Sequence, residues 1–256
     1  MRLIRRHVLK AIGAGIALRT ASETPAPAAL RGSTRLVVLD VGGTIIQDRG
    51  DVVACLQAAF SAQQINISAA EINGWRGAAK REVVQHFVDA RTRLPAPDRR
   101  QLSETIYTDF VARIIEAYKS AQPIEGAEAA FRKMRALGLL LATSTGFDRE
   151  ITDSIFHRLK WTDHFAAVVT SDDVTRGRPS PYMLFHAMET ARVDRVSEVV
   201  AVGDTPLDLQ AGANAGVRGI VGVLSGVGTA RTLAGEPHTD IIASVADLAA
   251  LLESRY

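Results

Sequence analysis

Apolar residues follow two rhythms along this chain. Leu36–Leu39 is an unbroken run of branched side chains with no polar alternation, the pattern of a strand buried on both faces in a parallel sheet. From Asp51 the spacing turns helical. Val52, Val53, Leu56, Ala59 and Phe60 mark one helix, and Ser68 is placed to cap a short one over Ala69–Ile72. Val83, Val84, Phe87 and Val88 mark a helix over about Arg76–Asp89, stopped by Leu94-Pro95-Ala96-Pro97. Leu102, Ile106, Phe110, Ile114 and Tyr118 mark another that ends before Pro123.

Beyond Pro123 the two rhythms alternate. Helices are predicted over Gly126–Leu137, Asp148–Leu159, Pro181–Ala191, Leu207–Ala215 and Val245–Glu253. Strands are predicted over Leu139–Thr143, Phe165–Thr170, Val199–Val202, Gly219–Val223 and Ile241–Ile242. Repeated strand–helix units imply an α/β fold, a Rossmann-like doubly wound parallel sheet with helices on both faces. The all-helical stretch after the first strand reads as an inserted cap. The expected organisation is a leader or extension over 1–33, a core of 34–48 with 123–256, and a helical cap over 49–122. No repeat of fixed period is visible.

Composition changes this picture little. The 256 residues, 47% hydrophobic, suit one sizeable core with an insert. The single cysteine, Cys55, excludes a disulfide framework and a cysteine-based zinc site. No apolar run is long enough for a membrane span. The formal charge of +2 hides an asymmetry: Arg2, Arg5, Arg6, Lys10, Arg19, Arg31 and Arg35 stand against Glu23 alone in the first thirty-five residues, so the remainder is net acidic and nothing argues for nucleic-acid binding. Arg5-Arg6 before the apolar stretch Ala11–Leu18, with Ala26-Pro27-Ala28 beyond, resembles a twin-arginine export signal. The apolar stretch is short and Arg19 follows it, so a plain N-terminal extension is the other reading. The expected location is cytoplasmic, or periplasmic if the leader is functional.

The candidate chemistry lies at the strand ends, which converge on one edge of a parallel sheet. The first strand ends in Asp40, then Gly42-Gly43-Thr44. The second leads into Thr145-Gly146. Ser171-Asp172-Asp173 and Arg176-Gly177-Arg178-Pro179 follow the third, and the fourth ends in Gly203-Asp204-Thr205 with Asp208 a helical turn on. Phosphoryl transfer needs such a set. Asp40 serves as nucleophile. Thr145 and Arg178, with the backbone at Gly43 and Gly146, hold the phosphoryl oxygens. Asp40, the Gly42 carbonyl and Asp204 bind Mg²⁺, and Asp208 supports a metal-bound water.

The segments LVVLDVGGT, LLATSTGF, GRPSPYM and VVAVGDTPLDL, in this order, resemble the four motifs of the haloacid dehalogenase superfamily of hydrolases. Most phosphatases of that superfamily carry a second Asp two residues after the nucleophile, to protonate the departing alkoxide; here Gly42 stands there. A small residue at that position, with Thr145-Gly146-Phe147, Gly177-Arg178-Pro179 and Gly203-Asp204-Thr205, resembles the phosphonatase-like branch, whose founding activity is phosphonoacetaldehyde hydrolysis. The resemblance implies a cap lysine that forms a Schiff base, and Gly77-Ala78-Ala79-Lys80 matches its setting. The branch's histidine three residues on is replaced by Val83, and His86 lies off the Lys80 face of the helix. Implied, then, are an Mg²⁺-dependent hydrolase and a small phosphonate or phosphate substrate. A phosphate monoesterase is the alternative, and a dehalogenase or a non-enzymatic binding protein lies further off. A homodimer through an apolar cap helix such as Val52–Phe60 is a further expectation.

Overall fold

Four consecutive residues without a polar side chain place β1 (Leu36–Leu39) in the centre of a sheet, since only a strand covered on both faces buries them all. The structure, a computed structural model, describes residues 34–256; the leader-like segment lies outside the described residues. After β1 come α1 (Asp51–Ala62), α2 (Ala69–Asn73), α3 (Lys80–Arg91), α4 (Ala96–Tyr118) and α5 (Ala127–Ala136). The chain continues through β2 (Leu140–Ser144), α6 (Arg149–Leu159), β3 (Ala167–Val169), α7 (Tyr182–Ala191), β4 (Val199–Gly203) and α8 (Pro206–Ala215). It closes with β5 (Gly219–Val223), α9 (Ala230–Ala234), β6 (Asp240–Ile242) and α10 (Leu248–Arg255).

The strands run in the order β3-β2-β1-β4-β5-β6, and every pairing is parallel. The chain winds outward from β1 to β3, then returns to the other side of β1 and winds outward to β6. The winding therefore reverses between β1 and β4, where sheets of this kind form their ligand crevice. Leu39 is in register with Thr143 on one side and Val202 on the other. Asp40 thus emerges level with Ser144 and Gly203, and its N–H extends the ladder to the Val202 carbonyl at 2.8 Å.

Alternate residues of β1 feed two separate cores, as the two-residue period of a strand requires. Leu36 and Val38 pack with Met183, Leu184 and Ala187 of α7 and with Ala211 and Ala215 of α8. Val37 and Leu39 join the larger core, with Phe131 of α5, Ile155 and Phe156 of α6 and Leu248 of α10. That core runs on without a break into α1–α4, through Val41, Ile45, Leu56, Phe60, Phe87 and Phe110. The apolar side of α1, a candidate dimer surface in the sequence, is taken up here: Val52, Val53, Leu56 and Phe60 are buried inside the chain.

Two elements differ from the sequence expectation. The helix expected from Arg76 begins only at Lys80. Gly77 sits at φ +86°, outside the helical region, and residues 74–79 form turns instead, with the Ala78 N–H bonded to the Trp75 carbonyl at 3.2 Å. The short helix α9 was not expected. Its core contribution is the single buried Leu233, too little for a periodic signal, and a capping box between Thr229 and Thr232 holds its start.

Side chains on both sides clasp the helical insert to the sheet. The Tyr107 hydroxyl of α4 donates to Asp148 Oδ2, while Asp148 Oδ1 caps α6 by accepting the Ile151 N–H at 3.0 Å. Arg81 stacks over the Tyr107 ring at 4.0 Å. Burial and the neighbouring carboxylate push the phenol above its ordinary range, so it stays a donor. Tyr107→Phe removes a hydrogen bond to a buried carboxylate and is expected to lower stability by about 1.5–3 kcal/mol. Urea unfolding followed by circular dichroism measures this; an unchanged midpoint would show that the clasp contributes nothing.

Candidate active site

Strand ends and the insert close over one cavity, lined among others by Asp40, Gly42, Asp48, Arg76, Lys80, Tyr118, Thr145, Phe147, Arg178 and Asp204. It is a small cavity, about 50 Å³.

Arg178 organises the floor. Its Nη1 donates to Asp40 Oδ1 at 2.8 Å and pairs with Asp208 Oδ1 at 2.7 Å. Its Nη2 donates to the Ser144 carbonyl at 2.6 Å and to Ser144 Oγ at 2.9 Å. The other oxygen of Asp208 accepts the Thr205 N–H at 3.0 Å and the Thr205 hydroxyl at 2.6 Å, a capping box that starts α8 and fixes the carboxylate. The arginine expected to hold phosphoryl oxygens is thus committed to the carboxylates, while still lining the cavity.

One guanidinium does not neutralise the carboxylates around it. Burial pushes Asp40 up to about 6; Arg178 opposes the shift and Asp208 adds to it. Asp204 is raised well above the usual carboxylate range by burial and then by the charges of Asp40 and Asp208. Its Oδ2 accepts the Val227 N–H at 2.8 Å, but its Oδ1 is buried with no hydrogen-bond partner. Oxygens of Asp40, Asp204 and Asp208 lie within 4.8 Å of one another. Clustered hard oxygens, an orphaned buried lone pair and surplus negative charge fit a divalent cation bound through oxygen.

The remaining expected residues fall as follows. Gly42 and Gly146 line the cavity. Thr145 lines it too, its N–H donating to the Val169 carbonyl at 3.0 Å and its Oγ accepting the Phe147 N–H at 3.2 Å. Gly43 is placed differently: its N–H goes to the Ile46 carbonyl at 2.8 Å. At φ +82°, a Cβ there would lie 2.5 Å from Asp204 Oδ2, so this glycine makes room for the carboxylate. Lys80 is 7% exposed, against the habit of helical lysines. Its N–H donates to the Gly146 carbonyl at 3.1 Å, its ammonium donates to the Ala78 carbonyl at 2.8 Å, and it stands 5.2 Å over the Phe147 ring. Burial pushes this amine down to about 8, with the Asp40 charge pulling the other way.

Sequence reasoning missed several lining residues. Val227 belongs to the loop after β5, and the glycines at 226 and 228 just beyond a predicted strand were the available signal. Tyr118 was counted only as an apolar helix position. Asp48 and Arg76 carried no local signal, because their pairing spans the junction between strand and insert.

The chain belongs to the haloacid dehalogenase-like hydrolases, whose family model matches residues 34–216. Several curated relatives are named phosphonoacetaldehyde hydrolase. A protein named phosphonoacetaldehyde hydrolase from Syntrophobacter fumaroxidans is 30% identical over 200 residues, 73% of this chain and 71% of its own. Two solved structures share the fold. A hydrolase from Pseudomonas syringae superposes with a TM-score of 0.76 at 18% identity, covering 87% of this chain and 99% of its own. A phosphonoacetaldehyde hydrolase-like protein from Oleispira antarctica gives 0.74 at 20% identity, covering 90% and 98%.

Removing one carboxylate tests the cation site directly. Asp204→Asn is expected to weaken Mg²⁺ binding at least about tenfold by calorimetry and to raise the melting temperature of the metal-free protein, because an uncompensated buried charge disappears. Unchanged Mg²⁺ affinity would place the cation elsewhere.

Proposed function

We propose that this hydrolase cleaves a small phosphonate or phosphate through an aspartyl-phosphate on Asp40, with Mg²⁺ as cofactor and a carbonyl phosphonate such as phosphonoacetaldehyde as the leading substrate. The observation that carries this reading is that a buried amine of lowered basicity, Lys80, shares one cavity with the Asp40 carboxylate. The name of the Syntrophobacter relative supports it. In this reading the insert over 49–122 acts as a cap on a core of 34–48 and 123–256.

Breaking a P–C bond leaves an electron pair on carbon, which needs a sink. Neutral Lys80 condenses with the substrate carbonyl, releasing water and giving a protonated imine. Asp40 attacks phosphorus, the P–C bond breaks, and its electron pair forms the enamine. The enamine takes up a proton on carbon, and water then hydrolyses the imine and, separately, the aspartyl-phosphate. Thr145 and the Gly146 backbone hold the phosphoryl oxygens, while Arg178 keeps Asp40 in line. Mg²⁺, held by Asp40, Asp204 and the Gly42 carbonyl with Asp208 supporting, would supply charge neutralisation at those oxygens.

A second reading, a phosphate monoesterase, rests on Val83. The residue standing where the phosphonatase branch carries its proton-moving histidine is 1% exposed among apolar side chains, and His86 stacks on Trp75 at 4.2 Å. An ester needs no imine, but its alkoxide needs an acid. Gly42 supplies none, although a Cβ there would meet only Phe147 Cε2, at 3.9 Å.

Borohydride added with phosphonoacetaldehyde is expected to trap the substrate on Lys80, and Lys80→Arg to abolish both trapping and turnover; normal turnover by that variant would rule out the imine route. Imine formation needs the neutral amine, so kcat/KM for this substrate is expected to rise with pH through about 8 and level off above it. Phosphate esters should show no such limb. Gly42→Asp is expected to raise phosphate-monoester hydrolysis by about 10²-fold, the range of a placed general acid, measured as phosphate release.

A further inference from the structure

The cavity has polar lining residues that the phosphoryl chemistry leaves unused. Asp48, Arg76 and Tyr118 line it along with Asp40 and Lys80. Arg76 belongs to the turn that precedes Gly77, and its side chain is 18% exposed. Its Nε donates to Asn73 Oδ1 at 3.0 Å and its Nη1 pairs with Asp48 Oδ2. Asp48 is itself fixed, its Oδ1 accepting the Gly50 N–H at 2.7 Å. The guanidinium is therefore held from two sides, while Nη2 makes no hydrogen bond among the described residues. Its charge reaches Lys80, where it helps to lower the amine's basicity.

Tyr118 is 4% exposed and packs edge-on to Phe147, with ring centroids 5.7 Å apart. Its hydroxyl likewise has no hydrogen-bond partner among the described residues. Burial and the nearby Asp48 and Asp51 push the phenol above its ordinary range, so it is a donor at neutral pH. A fixed guanidinium with a spare nitrogen and a neutral hydroxyl with a spare proton make an anion receptor. The cavity is small, which favours a compact anion. A carboxylate is small, planar and matched to the arginine fork.

We infer that Arg76 and Tyr118 bind a carboxylate of the substrate, so that the preferred substrate is a small phosphonate or phosphate whose departing fragment is an organic acid. This deepens the function proposed above and rests on it. Two sources share the chemistry. In a 2-oxo acid carrying the phosphonate on C3, Lys80 condenses with the C2 ketone and the P–C3 electron pair enters the enamine. Protonation at C3 and hydrolysis then release the 2-oxo acid and phosphate. In the phosphate ester of a 2-hydroxy acid, the P–O bond breaks and the alkoxide takes its proton from water.

Two matched pairs separate these sources: 3-phosphonopyruvate against phosphonoacetaldehyde, and phosphoglycolate against ethyl phosphate, each assayed with Mg²⁺ for phosphate release. In at least one pair the wild-type enzyme is expected to prefer the carboxylated member by about tenfold or more in kcat/KM. Arg76→Met is expected to bring that ratio to near one through KM, and Arg76→Lys to restore part of it. Wild-type preference for the uncharged member in both pairs overturns the inference while leaving the hydrolase reading intact. So does a ratio that Arg76→Met leaves unchanged. No phosphate from any of the four substrates overturns both together.

Discussion

Everything in the active site depends on a charge imbalance. Asp40, Asp204 and Asp208 are buried around Arg178, whose Nη1 touches two of them and not the third. Burying three carboxylates beside one guanidinium costs free energy that a compact domain cannot ignore. The arrangement persists because backbone and hydroxyl donors hold two of the acids, Val227 on Asp204 and Thr205 on Asp208. The uncompensated remainder suits a divalent cation bound through oxygen. Asp40 keeps one oxygen on Arg178, which fixes the direction of its carboxylate.

The sheet delivers these groups without any need for loops to find them. Parallel register sets the ends of β1, β2 and β4 level, so Asp40, Ser144 and Gly203 emerge side by side and the groups just beyond them meet. The two cores behind the sheet are unequal. The α7/α8 side is closed on itself, while the other side continues into the insert. Packing on that second side therefore positions the lysine against the strand ends.

The strand ends were legible in the sequence because each is a local event: an apolar run, then a carboxylate or hydroxyl beside glycine. Asp40, Thr145, Arg178, Asp204 and Asp208 could all be named that way. The burial of Lys80 could not. It follows from a turn centred on Gly77 pressing against Gly146 and Thr205, contacts distant in sequence, and the helix expected from Arg76 hid that turn. Asp48 and Arg76 escaped for the same reason, since neither is informative until the insert has folded back across β1. Tyr118 was misjudged differently. Its ring does fill a helix face, as the periodicity implied, but the residue also lines the cavity.

The turn over residues 74–79 is anchored at its start by the Trp75 N–H on the Ile72 carbonyl and at its end by the Lys80 N–H on the Gly146 carbonyl. These backbone bonds hold the turn alongside the Arg76 side chain's own bonds to Asn73 and Asp48. Under the proposed function this arrangement separates reactivity from choice. The strand ends would carry the bond-breaking groups, and Arg76 with Tyr118 above them would select the substrate. Descendants of such a chain could acquire new substrates by altering that pair while leaving the strand ends untouched.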